Sequence, residues 1–346
     1  MKSATLGILG TAAIAAVLAL QAVAQDEPAE ASAEPAAEAA PEAAEAGGEA
    51  ETPVAEVKPR PAELMPLTPK SLLLDVVKAD GQFVAVGDRG GIIASPDGAT
   101  WTQAQVPVRA ALTAVHFPDP QHGWAVGHDA AIVATQDGGK TWALQNFKPE
   151  LEKPFLDVLF IDASRGFAVG AYGLLYATAD GGQTWTEPEA AAIREEELHF
   201  NSITRLGNGD LFIAGESGML GVSSDGENWQ RLSSPYESTL FGALPVGEKG
   251  ALIFGLRGNV YITQDVRGGK WTQVQTDSVA SMFGGTALPS GELAMVGLNG
   301  VILITDGQGQ VRTLQTPAGT PLSAAIPLDG QLLAVGESGV QILALQ

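Results

Sequence analysis

The chain has 346 residues, of which 45% are apolar, 42 are glycine and 21 are proline, and its formal net charge is −21. This composition predicts a turn-rich, all-β body with a large core. The acidic excess argues against binding of nucleic acid or of anionic lipid headgroups, and the lack of cysteine excludes a disulfide framework.

Residues 1–24 have the pattern of a secretory signal peptide. Lys2 supplies the positive start, an apolar stretch runs from Leu6 to Leu20, and Ala22-Val23-Ala24 forms a small-residue cleavage site. The apolar stretch is too short for a typical membrane span. We therefore expect a secreted protein without direct membrane insertion, located in a bacterial periplasm, with release to the medium as the alternative.

Residues 25–57 form an acidic segment rich in Ala, Glu and Pro. It contains ten acidic residues and no Lys or Arg, so it lacks the apolar residues that build a core. We interpret it as a disordered linker, with an acidic docking tail for a basic partner as the alternative. Residues 58–346 form the predicted folded domain, which keeps a formal charge of −12.

Seven copies of one sequence phrase fill this domain. The clearest copy is WAVGHDAAIVATQDGGKTW, from Trp124 to Trp142, and a near-duplicate runs from Phe167 to Trp185. In each copy a glycine closes the second strand-like run, and successive glycines are 39 to 45 residues apart. These turn glycines are Gly87, Gly127, Gly170, Gly215, Gly255, Gly297 and Gly336. A period near 40 residues predicts an all-β, seven-bladed β-propeller with four-stranded blades, because one such sheet must stack on neighbours to cover its faces.

The register of the repeats predicts how the ring closes. In the first copy, Trp101–Val108 is the predicted outer strand and precedes the next blade, and Ala62–Leu67 (AELMPL) holds the corresponding place before Leu72–Val77. The seventh copy ends after its third strand, Val340–Leu345. We therefore expect AELMPL to pair with this last strand and to complete the seventh blade.

A turn motif with the pattern Asp-Gly, followed by Trp, recurs between the third and fourth strands of four copies, and the fifth copy has a longer form, TQDVRGGKW, from Thr263 to Trp271. The Asp carboxylate accepts hydrogen bonds from the turn, Gly permits positive φ and Trp covers the turn. We therefore assign a structural role to these Asp and Trp residues. They are Asp97 and Trp101, Asp137 and Trp142, Asp180 and Trp185, Asp225 and Trp229, and Asp265 and Trp271.

With the recurrent V-G-x-x-G-x-I/L-x-x-T-x-D-G-G-x-T-W, these turns make the chain resemble the photosystem II stability/assembly factor-like propellers. That family is a branch of the Asp-box, or bacterial neuraminidase repeat, superfamily, and the resemblance covers roughly Pro59 to Gln346. It implies a seven-bladed ring that acts as a non-enzymatic assembly or scaffold factor for a membrane protein complex. In photosynthetic members the client is a photosystem subunit, but an envelope complex or transporter suits the secretory signal of this chain equally well.

Asp boxes also occur in sialidases, so a glycan-binding or glycoside-hydrolysing propeller is the alternative. A sialidase-like site needs three converging arginines and a tyrosine nucleophile with a glutamate partner, and the tyrosines and arginines here share no such motif. The four histidines lack metal-ligand spacing, and neither a phosphate-binding loop nor a nucleophile elbow is present. We therefore predict no catalytic residue, no cofactor and no metal.

The turns that follow the second strands and the connections between blades are predicted to lie on one face of the ring. Their residues vary while the framework repeats, which is typical of a binding surface on a fixed scaffold. The longest connection, Glu187–Asn201, is predicted to form a short amphipathic helix or lobe that docks a partner or caps the ring. The candidate partner-binding residues are Arg89, His128, Asp129, Tyr172, Glu195, Glu196, Glu197, Glu216, Arg257, Asn299 and Glu337. We expect a monomer whose partner is an envelope membrane protein or transporter complex, and not a nucleic acid.

Overall fold

The computed structural model describes residues 57–79 and 81–345. The predicted signal peptide and residues 25–56 of the predicted linker lie outside this part of the chain. Within it, the strands form seven antiparallel sheets of three or four strands each, which are the blades, numbered here in chain order. The prediction of a seven-bladed propeller is confirmed. No helix in the described ranges is long and apolar enough to cross a bilayer.

Each blade is a meander whose strands follow chain order from the centre of the ring outwards. The innermost strands are β1 (Leu73–Ala79), β5 (Leu112–His116), β9 (Phe155–Phe160), β12 (Phe200–Arg205), β16 (Leu240–Val246), β20 (Met282–Ala287) and β24 (Leu322–Leu328). The second strands are β2 (Gln82–Gly87), β6 (Gly123–Gly127), β10 (Gly166–Gly170), β13 (Leu211–Gly215), β17 (Gly250–Gly255), β21 (Leu293–Gly297) and β25 (Gln331–Gly336). The third strands are β3 (Ile92–Ser95), β7 (Ile132–Thr135), β11 (Leu175–Thr178), β14 (Leu220–Ser223), β18 (Val260–Thr263), β22 (Val301–Thr305) and β26 (Gly339–Ala344).

Five blades of the described chain have a fourth, outer strand. These strands are β4 (Thr102–Gln103), β8 (Ala143–Asn146), β15 (Trp229–Arg231), β19 (Thr272–Val274) and β23 (Val311–Gln315). The third blade has instead an isolated antiparallel bridge between Ala177 and Thr186. The predicted outer strand Trp101–Val108 is reduced to β4, because the chain then turns to bury Val106 and Val108 in the core between the first two blades.

The ring closes through packing of the blade faces. Each innermost strand contacts the innermost strand of the next blade, and β24 contacts β1. Apolar clusters fill the spaces between neighbouring blades. At the closing junction, Leu73 and Phe83 of the first blade pack with Leu333 and Val335 of the seventh. This burial removes both faces of every sheet from water, which is the main stabilising contribution in such a fold.

The predicted closure by Ala62–Leu67 is wrong. This segment is not a strand: the Ala62 N–H donates to the Val106 carbonyl at 2.9 Å, and the Met65 N–H donates to Gln103 Oε1 at 2.7 Å, so the segment lies against the first blade. Pro61 and Pro66 also lack the N–H groups that an added strand would donate. As a result, β26 is the edge of its sheet among the described residues.

The turn glycines lie where two backbones come into contact. In all seven blades, a Cβ at this position would overlap the carbonyl oxygen of the residue just before the innermost strand, for example Leu72 at Gly87 and Thr239 at Gly255. The φ of Gly255 is −170°, which any residue adopts, so the constraint is space and not backbone strain. Glycine is therefore required once in every blade.

We expect Gly255→Ala to lower the free energy of unfolding by about 1–3 kcal/mol, because the added methyl group forces β16 and β17 apart. Gly268→Ala is the matched control, since a Cβ there would meet no atom closer than 3.6 Å. Thermal and denaturant unfolding of the two variants measure the difference. Equal stability of the two variants would contradict the importance of this backbone contact.

Candidate partner-binding face

The turns between the second and third strands lie on one face of the ring, which we call the tip face. In six of the seven described turns, a single 3₁₀ turn places its middle residue at positive φ, between 51° and 58°. These residues are Arg89, Asp129, Tyr172, Ser217, Arg257 and Asn299. The left-handed conformation is unfavourable for residues with a Cβ, so its recurrence shows that the blade framework imposes it. The side chains at these positions therefore start from similar, fixed backbone geometries.

Most of these six side chains are accessible to a partner. Arg89, Tyr172, Ser217, Arg257 and Asn299 are exposed, and Asp129 is half-buried. The seventh turn is shorter: Glu337 and Ser338 alone connect Gly336 to Gly339, and neither has positive φ. The tip face is thus a ring of display positions on a rigid frame, with a different geometry at the seventh blade.

A group of four side chains links the third and fourth blades on this face, and we call it the tyrosine cluster: Lys153, Tyr172, His199 and Glu216. Tyr172 is 50% exposed, and Lys153 Nζ lies 5.8 Å from the centre of its ring. The His199 ring packs edge to face against Tyr172, with 4.7 Å between ring centres. Glu216 accepts a hydrogen bond from the His199 backbone N–H at 3.1 Å.

The tyrosine cluster combines an exposed aromatic ring, a cation near that ring and a carboxylate that binds the neighbouring His199. An aromatic ring contributes a large contact area with few rotatable bonds, which is why Tyr is enriched at the centres of protein interfaces. Sequence patterns alone do not identify Lys153 and His199, because they do not show which connection lies beside which turn. This arrangement can hold an extended polypeptide by stacking on Tyr172 and by polar contacts with Lys153 and Glu216.

The predicted lobe is present and is firmly anchored. It contains α1 (Ala191–Arg194), whose Ile193 is fully buried in a cluster with Met219 and Trp229. Arg194 Nη2 donates to the Leu175 carbonyl at 2.8 Å. The lobe therefore caps the space between the third and fourth blades.

The acidic run Glu195–Glu197 is exposed on the lobe, and Glu196 pairs with Arg231 at 3.1 Å. The run directly precedes Leu198 and His199, so its charges lie close to the tyrosine cluster in the chain. Exposed acidic residues on an anchored lobe provide charge for contact with a partner without needing to fold on binding.

The remaining candidate residues are distributed over other tips. His128 and Asp129 belong to the second blade, where the Asp129 carbonyl accepts from the Lys148 N–H at 2.8 Å. Arg89, Arg257, Asn299 and Glu337 lie on the tips of the first, fifth, sixth and seventh blades. The structure thus joins Tyr172 and Glu216 in one cluster and places the others around the ring.

The residues that a sialidase-like site would use have separate partners. Tyr176 is buried, and its hydroxyl accepts from Lys148 Nζ at 2.9 Å. Arg165 donates to the Asp225 carbonyl in the fourth blade, and Arg231 pairs with Glu196 on the lobe.

The Asp-box turns lie on the face opposite to the tips. Asp137 accepts from the Thr141 hydroxyl at 2.6 Å and from its N–H at 2.9 Å, and these bonds lower the pKa of Asp137 to about 2. Trp142 Nε1 donates to the Gly139 carbonyl at 3.0 Å. The corresponding nitrogens of Trp185 and Trp271 are buried without a partner in the described structure. The carboxylates in these turns are therefore engaged in holding the hairpins.

The innermost strands surround a central channel with a cavity of about 340 Å³. One part of its wall is polar and includes Asp75, Thr113 and Asp157, and another part is apolar and includes Phe241 and Phe283, whose rings are 5.4 Å apart. No group of three or more His, Asp or Glu side chains in residues 57–79 and 81–345 is placed to hold a metal ion. The channel wall is thus polar along one part of the ring and apolar along another.

Three titratable side chains connect consecutive blades near the channel. Asp75 Oδ2 accepts from the Val115 N–H at 2.9 Å, and Asp157 Oδ2 accepts from the Ile203 N–H at 2.8 Å. Burial raises the pKa of Asp75 to about 6 and that of Asp157 to about 7, although these hydrogen bonds oppose the change.

The third of these groups, His116, joins the second and third blades. Its Nδ1 accepts from the Phe160 N–H at 3.2 Å, and burial lowers the pKa of His116 to about 4. All three groups therefore connect neighbouring blades through a backbone N–H of the next innermost strand.

Comparison with known proteins places this fold in a family. The family model described as photosynthesis system II assembly factor YCF48 matches residues 93–152 and 144–313. The chloroplastic photosystem II stability/assembly factor HCF136 of Guillardia theta is 39% identical over 170 residues, which cover 46% of this chain and 42% of the relative. The match therefore spans less than half the length of that curated relative.

Solved structures show the same fold. A structure of Ycf48 bound to a D1 peptide superposes with a TM-score of 0.66 and 17% identity, covering 85% of this chain and 99% of the other. The WD40 propeller domain of Doa1 superposes with a TM-score of 0.65 and 12% identity, covering 80% of this chain and 93% of the other. Because the two similarities are nearly equal, they establish the propeller architecture alone.

The channel carboxyl groups predict a stability that depends on pH. In the folded chain the pKa values of Asp75 and Asp157 are about 6 and 7, whereas the usual value of 3.8 applies after unfolding. The two carboxyl groups therefore stabilise the folded state most at low pH, and this stabilisation is lost as the pH rises from 3.8 through the folded pKa values of about 6 and 7. His116 opposes this change below about pH 6.5, because its pKa is lowered to about 4 in the folded chain, so we expect a net fall in the melting temperature of about one to a few degrees between about pH 5 and pH 8.

The variant Asp75→Asn/Asp157→Asn is the test of this origin, because the amide oxygens still accept from Val115 and Ile203 but do not ionise. Its melting temperature should not fall over the same pH range, so the difference from the unmodified chain isolates the two carboxyl groups. Asp137→Asn is the control, since the pKa of Asp137 is about 2, far below this range. An equal pH dependence in all three proteins would contradict the assignment.

Proposed function

The chain belongs to the family of photosynthesis system II assembly factors of the YCF48 type, and from this membership we propose that it is a non-enzymatic assembly or scaffold factor that binds a membrane-protein client through its tip face. The observation that carries the proposal is the family match over residues 93–313, which include five of the seven tips. A solved relative of the same fold is bound to a D1 peptide. That complex supports a polypeptide client for this chain.

The mechanism proposed is multivalent contact, in which no bond is made or broken. Tyr172 supplies an aromatic anchor, while Lys153 and Glu216 supply polar contacts beside it. Arg89 and Arg257 offer cationic contacts on other blades. Several weak contacts on one rigid ring give high total affinity, because the first contact raises the effective concentration of the others.

The client is proposed to be a membrane protein of the compartment into which the chain is secreted. The signal-like residues 1–24 favour a periplasmic location, and the acidic residues 25–57 then provide a spacer before the ring. An envelope complex or transporter is the client in a non-photosynthetic cell, and a photosystem subunit is the client in a photosynthetic one. The ring is proposed to act as a monomer without cofactor or metal.

Photo-crosslinking in cells of the source organism tests this function. A crosslinking amino acid is placed at Arg89, Tyr172 or Arg257 on the tip face or at Glu196 on the lobe, and at the exposed residue Lys140 on the opposite face as the control. We expect one recurrent membrane protein in the adducts from the tip positions and its absence from the control, because only the tip face is proposed to contact the client.

Two results would contradict the proposal. Adducts that form equally from Lys140 and from the tips would show that the tip face has no special role. Absence of any protein adduct, together with hydrolysis of a sialoside or another glycan by the purified ring, would favour the alternative of a glycoside-hydrolysing propeller.

A further inference from the structure

The third strand of the seventh blade differs from the other third strands in its exposure. In the first six blades the third strand is almost entirely buried. In β26, by contrast, Ile342 is 45% exposed, Ala344 is also exposed, and Val340, Gln341 and Leu343 are only partly buried. The described chain therefore leaves one strand of the ring uncovered.

The backbone of β26 offers unused hydrogen-bonding groups along this edge. Gly336 and Gly339 pair across a two-residue turn. Because hydrogen-bonded and non-hydrogen-bonded pairs alternate along an antiparallel ladder, the N–H and C=O groups of Val340, Ile342 and Ala344 point away from β25. In the first blade, Ile92 holds the place of Val340, and its carbonyl accepts from the Ala104 N–H of the outer segment at 2.9 Å. The seventh blade has carbonyl groups in the same outward-facing positions, but among the described residues no outer strand pairs with them.

The third blade shows how the chain covers such an edge when it does so itself. That blade also lacks a regular fourth strand, but Ala177 and Thr186 exchange two backbone hydrogen bonds at 2.8 and 2.9 Å. At the seventh blade the only segment available in the described ranges, Ala62–Leu67, is bound to the first blade instead. Edges of this kind are usually blocked by the protein or used for pairing.

We propose that the β26 edge is a docking site for an extended segment of the client polypeptide, which adds to the seventh blade as its fourth strand. This inference rests on the proposed function, since the strand is supplied by the client. Backbone pairing gives affinity in such strand addition, and pockets for alternate side chains give specificity. The edge starts at the Glu337-Ser338 turn on the tip face, so a client held there can continue along β26.

The surroundings of the edge define the chemistry of the added strand. Val340 and Ile342 lie on the same face of β26, and Val340 packs in a cluster with Trp101 of the first blade. Apolar, β-branched side chains at alternate positions of the client segment would cover this surface. Gln341 lies on the other face, where its Nε2 is buried without a partner in the described structure.

Cations at both ends of the edge favour a segment with acidic flanks. The turn Thr68–Lys70 contacts the start of β26, and Lys70 is exposed. At the other end, Arg312 Nη1 donates to the Leu345 carbonyl at 3.1 Å, and Arg312 also pairs with Glu292 at 3.4 Å while its side chain stays about half exposed. Charges placed at the two ends orient an incoming strand and increase its rate of association.

A client strand suits the edge better than two other occupants. Residues 25–56 consist mainly of Ala, Glu and Pro, which are poor strand formers. A second copy of the ring would bring together two domains that each carry a formal charge of −12. A client segment with β-branched residues carries far less negative charge than a second ring, and its acidic residues lie only at the ends of the edge, beside Lys70 and Arg312.

The test uses a fluorescent ten-residue peptide in which three Val-Thr pairs lie between two glutamates at each end. We expect it to bind the purified chain, with fluorescence anisotropy as the measurement, and to slow amide exchange at Val340, Ile342 and Ala344. The variants Ile342→Pro and Ile342→Glu should weaken binding about tenfold or more, because the first removes an edge donor and the second repels the peptide. A peptide N-methylated at every residue of the Val-Thr run should bind as weakly, because neither of its edges can then donate.

Val279→Glu is the matched control, because Val279 is 87% exposed on another blade connection and the change adds the same charge. Melting curves of all variants confirm folding, and Ile342→Glu retains every backbone donor if Ile342→Pro is unstable. Lack of binding to the unmodified chain, or equal binding to the Ile342 and Val279 variants, would overturn the docking site.

Two further outcomes would overturn it in favour of another occupant. If these amides are already protected in the free monomer, residues before Val57 cover the edge. If the chain is a dimer that Ile342→Glu separates, a second copy covers it. The peptide assay does not use the natural client, so it tests the β26 docking site separately from the proposed function. If the peptide binds but crosslinking at Tyr172 gives no client adduct, the docking site stands and only the proposed function is contradicted.

Discussion

The structure depends on the stacking of sheet faces around a closed ring. A four-stranded sheet cannot cover its own faces, so each blade buries one face on the blade before it and one on the blade after it. The turn glycines allow this arrangement, because they let the second strand pass against the backbone that enters the innermost strand. Since these contacts fix every turn, the side chains on the tips have set positions before any partner binds.

The seven junctions are physically unequal. Between the first and fourth blades, Asp75, His116 and Asp157 each accept a backbone N–H of the next blade. Around the fifth and sixth blades, the channel wall instead has Phe241 and Phe283 in edge-to-face contact. We therefore expect the hydrogen-bonded part of the ring to respond to pH, whereas the apolar part depends on packing. The tyrosine cluster belongs to the third and fourth blades, in the hydrogen-bonded part.

The repeats predict the fold well because its main constraints are local. Gly87 and its six equivalents occupy positions where only glycine fits, so the number of blades follows directly from their spacing. The Asp-box turns are also local, since Asp137 binds groups within four residues. The lobe at Glu187–Asn201 is recognised by its length and its apolar positions, and Ile193 is indeed buried.

Contacts between distant segments were beyond the reach of sequence patterns. The place of Ala62–Leu67 in the repeat predicts pairing with the seventh blade, but its hydrogen bonds go to Val106 and Gln103 of the first blade. In the same way, His199 reaches Tyr172, and Asp75 reaches Val115, only once neighbouring blades are stacked. The uncovered β26 edge was not predicted for the same reason, because the segment expected to pair there lies against the first blade.

The central claim is that one face of this ring holds a client polypeptide. Hydrogen exchange measured by mass spectrometry on the chain, free and in complex with the client that copurifies from native membranes, tests it most directly. Slower exchange in the complex should be concentrated in the tip turns, the lobe and β26, with the Asp-box turns unchanged. Protection confined to the Asp-box face, or no difference between the free and bound chain, would contradict the claim.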